Sequence, residues 1–483
     1  MLFNSIEYFF FLPIVIILYF LLKGRWKIKG WVILLIASYY FYMSLKPEYV
    51  LLLILSAVVN YFAAIKIEHA GKKRKKVVLA LAIIYNIGML FAFKYFNFFG
   101  KTLTDTLAFF SIPFEPMILN LLLPIGISFY TFTALSYVID VYRGKIPAEK
   151  HFGLVASFIA FFPTVLAGPI ERAKNLIPQL ASPIKFKLND AEEGLKLILW
   201  GLFKKVVIAD RLAIVVNTVY AVPTEYSGIV LILATIFFAF QIYIDFSAYS
   251  DIAIGSARIL GFKLNENFKR PYLSLSFTEF WHRWHISLST WFRDYLYIPL
   301  GGSRVSNPRL YANIMIVFIV SGLWHGANIT FAVWGALHGA YILLQRVFSR
   351  LFLDDKGNTK IIKNKVVIFL AWLITFILVA IAWVFFRANN ITDSLYILAN
   401  MFMNIGSDLS YTHLGGIGGY LGLALAIGLI ILLMVFELMQ EKGILARLNS
   451  KMPLYIRSLI YLIIIIAIIF IGVSGEQFYY FSF

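Results

Sequence analysis

Long apolar runs separated by short polar loops make up most of the chain. Runs at about residues 7–23, 30–44 and 47–67 approach the roughly 20 residues that a bilayer-crossing helix needs, the second being short enough to lie tilted or partly at the interface. A fourth run over 77–99 returns the chain, and KTLTDTLAFFSIPFEP after it reads as an external loop with a short amphipathic piece. The run over 229–259 is too long for one plain span, and further spans are expected at about 366–386, 421–438 and 454–473, with a shorter run near 395–403.

Two stretches break this pattern. LPIGISFYTFTALSYVIDVYRG (123–144) sets Pro124, Gly, Ser, Thr, Tyr and Asp140 into an apolar background, and FFPTVLAGPIER (161–172) places Pro163, a second proline and a glycine in another. Broken backbone at membrane depth is tolerated only where protein or a water-filled cavity satisfies the freed amides and carbonyls, so both are expected to line a cavity. The helical pattern over 189–220 carries Lys204, Lys205, Asp210 and Arg211 in its middle, and QIYIDFSAYSDIAIG (241–255) carries Tyr243, Asp245 and Asp251. Ionisable groups at such positions avoid lipid, so the first segment is expected to cross the bundle interior or bend at the interface and the second to face inward.

Composition agrees with the pattern. Of 483 residues 61% are hydrophobic and only 14% charged, with a mean hydropathy of +0.81, too little polar surface for a water-soluble globule. The expected class is an all-α polytopic membrane protein, a single domain over 1–483 with about ten to thirteen crossings counting half-spans. The net charge of +18 does not imply nucleic acid, because the cations gather in loops such as KGRWKIK, GKKRKK, DDKGNTKIIKNK and QEKGILARLNSKMPLYIR, which the positive-inside rule places in the cytoplasm. The N-terminus is then outside, and the first run, without a basic leader or a small-residue cleavage site, is expected to be a retained helix. Cysteine is absent, which excludes disulfides, thiolate metal sites and a covalent intermediate on sulfur.

Chemistry concentrates in residues 280–339. FWHRWHISLSTWFRDYLYIPLGGSR is followed, after one apolar run, by SGLWHGANITFAVWGALHG, and four of the seven histidines lie here. The separation of Trp284-His285 from Trp324-His325 by a loop and one apolar run lets both imidazoles reach one cavity, where a neutral imidazole can act as a base. For His338 and His413 the simpler reading is packing. A metal site from His282 and His285, three apart on one helix face, with His325, is disfavoured because no carboxylate is spaced as a ligand, so no metal is expected. Ser287, Ser289 and Thr290 read as capping or back-bonding hydroxyls. A proton relay through Asp140, Asp245, Asp251 and the histidines is the rival, and it describes a proton-coupled transporter or flippase of an envelope glycan precursor.

The run RWHISLSTWFRDYLYIPLGG followed by SGLWHGANITFAVWGALHG resembles the membrane-bound O-acyltransferases, most closely the bacterial branch that includes the alginate O-acetylation protein. LPIGISFYTFTALSYVIDVYRG, FFPTVLAGPI, QIYIDFSAYSDIAIG and WVFFRA are similar to that branch's other motifs and come in the same order, over nearly the whole chain. Departures are Ala248 in place of glycine, Thr133 and Thr164 in place of glutamine, His282 in place of arginine and Ile329 in place of tryptophan. The resemblance implies a helical bundle with re-entrant segments around a central tunnel, His325 as the essential catalytic histidine and His285 as its partner. Read from the residues themselves, Arg283, Trp284, Trp324, Asn328, Asp245, Asp251, Tyr243, Pro124 and Pro163 are the candidates to contact substrate or line the tunnel. By the same resemblance the setting is the bacterial cytoplasmic membrane, with membrane lipid around the bundle and no tightly bound cofactor. The donor is acetyl-CoA or another acyl thioester, the acceptor an extracytoplasmic glycan, and a partner is an extracytoplasmic SGNH-type acetyltransferase.

Overall fold

A computed structural model describes residues 1–25, 29–119, 121–352, 364–403, 419–473 and 478–479, and the regular structure among them is entirely helical. Six helices among the described residues are long and apolar enough to cross a membrane: Pro47–His69, Lys72–Phe109, Gly228–Ile259, Lys365–Arg387, Gly419–Glu441 and Leu454–Ile471. The protein is a multi-pass membrane protein. Two compact units divide the chain, Met1–Ile198 with Tyr249–Glu266, and Leu199–Ala248 with Asn267–Phe483.

The first unit opens with α1 (Ile6–Arg25), α2 (Gly30–Met43), α3 (Val50–His69) and α4 (Lys72–Leu90). Asn60 of α3 and Asn86 of α4 exchange amide hydrogen bonds of 3.2 and 2.8 Å; in apolar surroundings such a pair fixes helix against helix. A π-helical turn at Phe91–Tyr95 carries the chain into α5 (Phe96–Phe109). The stretch read as an external loop after Phe99 is therefore largely helix. No proline interrupts it before Pro113, and Thr102 and Thr106 return their hydroxyls to the carbonyls of Phe98 and Thr102, so its polar positions are satisfied within the helix.

Both proline-containing breaks are real. In the first, α6 (Ile127–Tyr142) starts only after Pro124 and Gly126, the latter at φ +82°, where an added Cβ would stand 2.5 Å from the Val165 carbonyl oxygen. Only glycine serves there. Beyond α7 (Phe152–Ala160), the segment over 161–172 is turn and extended chain, leading into α8 (Ala173–Ala181). The Phe162 N–H of this segment donates to Ser38 Oγ at 3.0 Å, and its buried Glu171 carboxylate accepts from the Asn265 backbone N–H at 2.6 Å and from Asn265 Nδ2 at 2.8 Å. Partnered irregular backbone of this kind is what burial in an apolar surrounding demands.

The second unit starts within α9 (Leu188–Leu202). A π-helical turn at Phe203–Ala209 follows, then α10 (Asp210–Ala221) and α11 (Gly228–Ile259), whose last eleven residues belong to the first unit. By changing the helical phase, the π turn places Lys204, Lys205 and Asp210 together on the buried side. Two seven-residue helices, α12 (Phe277–Arg283) and α13 (Ile286–Phe292), precede α14 (Asn307–His325) and α15 (Ile329–Phe352). The last two pack backbone to backbone, since a Cβ on Gly322 would lie 2.1 Å from the Phe331 carbonyl oxygen and one on Gly335 2.2 Å from that of Phe318. That approach sets His325, at the end of α14, beside the first turns of α15. The unit closes with α16 (Lys365–Arg387), α17 (Ile391–Asn400), α18 (Gly419–Glu441), α19 (Ile444–Lys451) and α20 (Leu454–Ile471).

Candidate active site

His285 lies between two helices, not on one. α12 ends at Arg283, and His285 reverses the chain with φ 41° and ψ 55°, a left-handed conformation that is uncommon outside glycine and costs on the order of 1 kcal/mol. The expectation that His282 and His285 share a helix face is thereby corrected, and His282 is exposed. Asn267 holds the reversal in place. Its backbone carbonyl accepts the Ile286 N–H at 2.9 Å, and its side-chain oxygen accepts the Ser287 N–H at 3.2 Å and the Ser287 hydroxyl at 2.9 Å.

The same oxygen lies 3.0 Å from His285 Nδ1. A backbone N–H can only donate, so the Asn267 atom it faces is an acceptor, and the imidazole nitrogen beside that acceptor must carry a hydrogen. His285 is thus held as the Nδ1–H tautomer, with its lone pair on Nε2. Replacing Asn267 by alanine is expected to lower turnover by about ten- to hundredfold, the range met when an outer partner that orients a histidine is lost. Asn267→Asp, which keeps the acceptor oxygen, should retain more activity than the alanine variant. Rates of acyl transfer at matched protein level check this, and a wild-type rate in the alanine variant would remove Asn267 from the site.

His325 is buried at the last position of α14, with its ring 4.8 Å from Trp324, 5.2 Å from Trp334 and 5.0 Å from Phe386. Trp324 also lies 6.3 Å from the His285 ring, whose other face meets the edge of Phe246 at 4.7 Å. The two histidines therefore share one aromatic neighbour within the second unit.

Beside His325 opens a polar recess of about 420 Å³. Phe386 belongs to both, and Asn328 and Phe331, just beyond His325, line the recess with Lys205, Asp210, Gln241, Asp245, Arg387, Asn389 and Tyr479. Lys205 Nζ is 2.7 Å from Asp210 and 2.8 Å from Asp245, and the second Asp245 oxygen accepts the Tyr479 N–H at 2.8 Å. Lys204 donates to Ser247 at 2.8 Å. Arg387 donates to Asn217 at 3.0 Å, with its guanidinium over the rings of Tyr220 and Tyr479. The side-chain oxygen of Gln241, a residue 4% exposed, has no partner among the described residues.

Of the residues singled out in the sequence, Asp245 and Asn328 line the recess, and Trp324 bridges the histidines. Trp284 stacks on Phe280 and lies 5.0 Å from Trp383, Tyr243 donates its hydroxyl to Glu437, and Arg283 is held by Glu279 at 2.8 Å and Glu441 at 2.9 Å. Pro124, Pro163 and Asp251 belong to the first unit. His413 lies outside the described residues. Ser289 and Thr290 return their hydroxyls to the carbonyls of Trp284 and Ile286, the back-bonding expected of them. Sequence reasoning passed over Asn267, Gln241 and Arg387. Only Arg387 carried a signal, a cation closing the apolar run that ends in WVFFRA.

A buried imidazole, a second one with a fixed lone pair and a polar recess beside them suit proton removal from a hydroxyl in a site shielded from bulk water. Comparison with known proteins narrows this to one class. The profile of the membrane-bound O-acyltransferase family matches residues 150–383. The chain is 42% identical over 391 residues to the probable alginate O-acetylase of Pseudomonas syringae pv. tomato, covering 80% of this chain and 72% of that protein. It is 37% identical over 433 residues to the peptidoglycan O-acetyltransferase of Helicobacter pylori, covering 83% and 80%. Similarity extends at 30% identity over 239 residues to the teichoic acid D-alanyltransferase of Streptococcus thermophilus, 47% of this chain and 57% of that one. With both histidines in one unit and this level of identity along most of the chain, the protein belongs to the membrane-bound O-acyltransferase family and is an O-acyltransferase.

Proposed function

We propose that the protein takes an acyl group, acetyl foremost, from a cytoplasmic thioester such as acetyl-CoA and delivers it to a hydroxyl on the far side of the bacterial cytoplasmic membrane. That hydroxyl belongs to an extracytoplasmic polysaccharide or to a partner acetyltransferase of the SGNH type. The observation that carries this reading is His325 buried among packed aromatic rings, one of which, Phe386, also lines the polar recess. The relatives' names support the acceptor class, since alginate, peptidoglycan and teichoic acid are all polymers made at or beyond the envelope.

In this mechanism His325 accepts the proton of the acceptor hydroxyl as its oxygen attacks the thioester carbonyl. The C–S bond then breaks, and the thiolate leaves with the proton returned by the imidazolium. Asn328 Nδ2 gives one hydrogen to the Asn389 carbonyl at 2.8 Å and keeps a second for the developing oxyanion. His285, with Nδ1–H committed to Asn267, offers Nε2 as an acceptor, so its part is to hold a different O–H or N–H of a bound substrate while the reacting proton goes to His325, and not to donate to the oxyanion. The rival transporter reading needs Asp245 as a mobile proton carrier, but Lys205 and the Tyr479 amide both hold that carboxylate in place.

Inside-out membrane vesicles containing the protein, supplied with acetyl-labelled acetyl-CoA, are expected to place label on envelope glycan or on a co-produced partner, with or without an uncoupler. Glycan movement that collapses with the proton gradient and needs no acetyl-CoA would sink this reading and favour the flippase.

A further inference from the structure

On either side of α12 the chain closes on itself in a short antiparallel clasp. The Lys269 N–H donates to the Arg283 carbonyl at 2.9 Å, and the Ile286 N–H donates to the Asn267 carbonyl at 2.9 Å. Between these two bonds one side of the clasp holds a single residue, Phe268, and the other holds two, Trp284 and His285. Phe268 accordingly faces both, its ring 5.1 Å from that of Trp284 and 6.3 Å from that of His285. Two residues against one is the arrangement of a β-bulge, which re-aims a side chain out of the regular alternation. The direction of the His285 imidazole is therefore set by the clasp as well as by the Asn267 amide.

The clasp is strained at both ends. His285 is left-handed beside one of its bonds, and Arg270, beside the other, is left-handed too, with φ 50° and ψ 58°. Among the described residues Ser111 is the only further non-glycine residue with a positive φ. Such backbone persists outside glycine only where the surroundings over-determine it. Asn267 supplies that support at the His285 end, and the Arg270 end needs its own.

Glu441, the last residue of α18, meets that need. Its Oε2 accepts from Arg270 Nε at 2.5 Å and its Oε1 from Arg283 Nη2 at 2.9 Å, so one carboxylate joins the two sides of the clasp. Arg283 also pairs with Glu279 at 2.8 Å and donates to the Lys269 carbonyl at 3.3 Å. The anchor is itself fixed, because one turn earlier on α18 Glu437 accepts the hydroxyl of Tyr243, whose ring lies 6.1 Å from Trp284. Ion pairs between partly exposed side chains such as these add little to stability. What a two-armed bridge across a strained turn supplies is geometry.

We infer that Glu441 is a positioning residue for acyl transfer: by bridging Arg270 and Arg283 it holds the clasp, and through Arg283 and Trp284 it sets where His285 Nε2 points. The inference rests on the substrate-positioning role given to His285 above.

The test is acyl transfer by the full chain in inside-out vesicles over a range of acetyl-CoA concentrations, with thermal unfolding measured in parallel. Glu441→Gln, which removes the charge and sets an amide N–H against one arginine, is expected to lower kcat about tenfold, the low end of the loss seen when an outer partner of a histidine is removed. KM should stay within about twofold of wild type, and the unfolding temperature close to it. Glu441→Asp keeps the charge and should recover part of the rate. A defect in folding would act alike with and without His285, whereas a defect that passes through His285 should not. On a His285→Ala background, adding Glu441→Gln should therefore cost less than about twofold. Arg270 gives a second route that leaves Glu441 in place: Arg270→Gly takes up the left-handed turn freely and should lose less rate than Arg270→Ala, which must take it up unsupported.

The inference is overturned if Glu441→Gln transfers within about twofold of wild type, if its penalty is the same with and without His285, or if Arg270→Ala transfers at least as well as Arg270→Gly. A lowered KM with kcat unchanged in Glu441→Gln would also overturn it, by making the two arginines a substrate contact that Glu441 masks. His285→Ala transferring like the wild type would instead remove the role given to His285, an outcome distinct from a normal Glu441→Gln beside an impaired His285→Ala.

Discussion

Lys205→Met is expected to destabilise the protein by about 3–5 kcal/mol, the cost of removing one partner from a buried ion pair. The lysine side chain is 1% exposed, and its ammonium stands 2.7 Å from Asp210 and 2.8 Å from Asp245, themselves 2% and 3% exposed. Without it two carboxylates face each other across a small space with little water to screen them. The chain must then either protonate one of them or open the recess. Neutralising the acids as well should undo most of the damage, so Lys205→Met with Asp210→Asn and Asp245→Asn should unfold at a higher temperature than the single variant. Thermal unfolding followed by size-exclusion chromatography in detergent checks both. A single variant as stable as the wild type would mean that the triad does not hold the unit together.

Loss of His325 is expected to act on rate and not on fold. A positioned general base contributes about 10² to 10⁴ in rate, and His325→Ala should fall by that range in acyl transfer while its unfolding temperature stays close to that of wild type. Because Trp324 lies against both imidazoles and both serve one transfer step, His325 by taking the proton and His285 by positioning substrate, adding His285→Ala should cost little more than the first substitution. Groups that act as a unit show such non-additivity. Transfer rates for the two single variants and the double variant, at matched protein level, decide it. Penalties that multiply would mean that the histidines serve separate steps, and full transfer by His325→Ala would remove it from the chemistry.

The histidines were legible in the sequence because titratable groups are rare in an apolar chain and their burial demands a reason. Lys204, Lys205 and Asp210 were legible as inward-facing for the same cause, but not their grouping, which depends on a π turn that shifts the helical phase and leaves no periodic trace. The broken segments at Pro124 and Pro163 could be read from proline and glycine; that Gly126 lies against the Val165 carbonyl could not. Asn267 shows why site residues escape such reading. It is an ordinary polar residue in a loop, and only the chain reversal at His285, 18 positions later, gives its amide oxygen three donors to satisfy. The stretch KTLTDTLAFFSIPFEP, expected to be an external loop with a short amphipathic piece, is helix as far as Phe109, with threonine hydroxyls bonded within that helix.

The Lys205 triad also has a consequence for how the protein is made. Asp245 receives its last hydrogen bond from the Tyr479 amide, 234 positions further along the chain. At about 5–20 residues per second the ribosome adds that stretch over a time on the order of ten to fifty seconds. During that time the carboxylate sits in a nascent membrane segment without its final donor. The recess is thus incomplete until Tyr479 has been made and folded back onto Asp245.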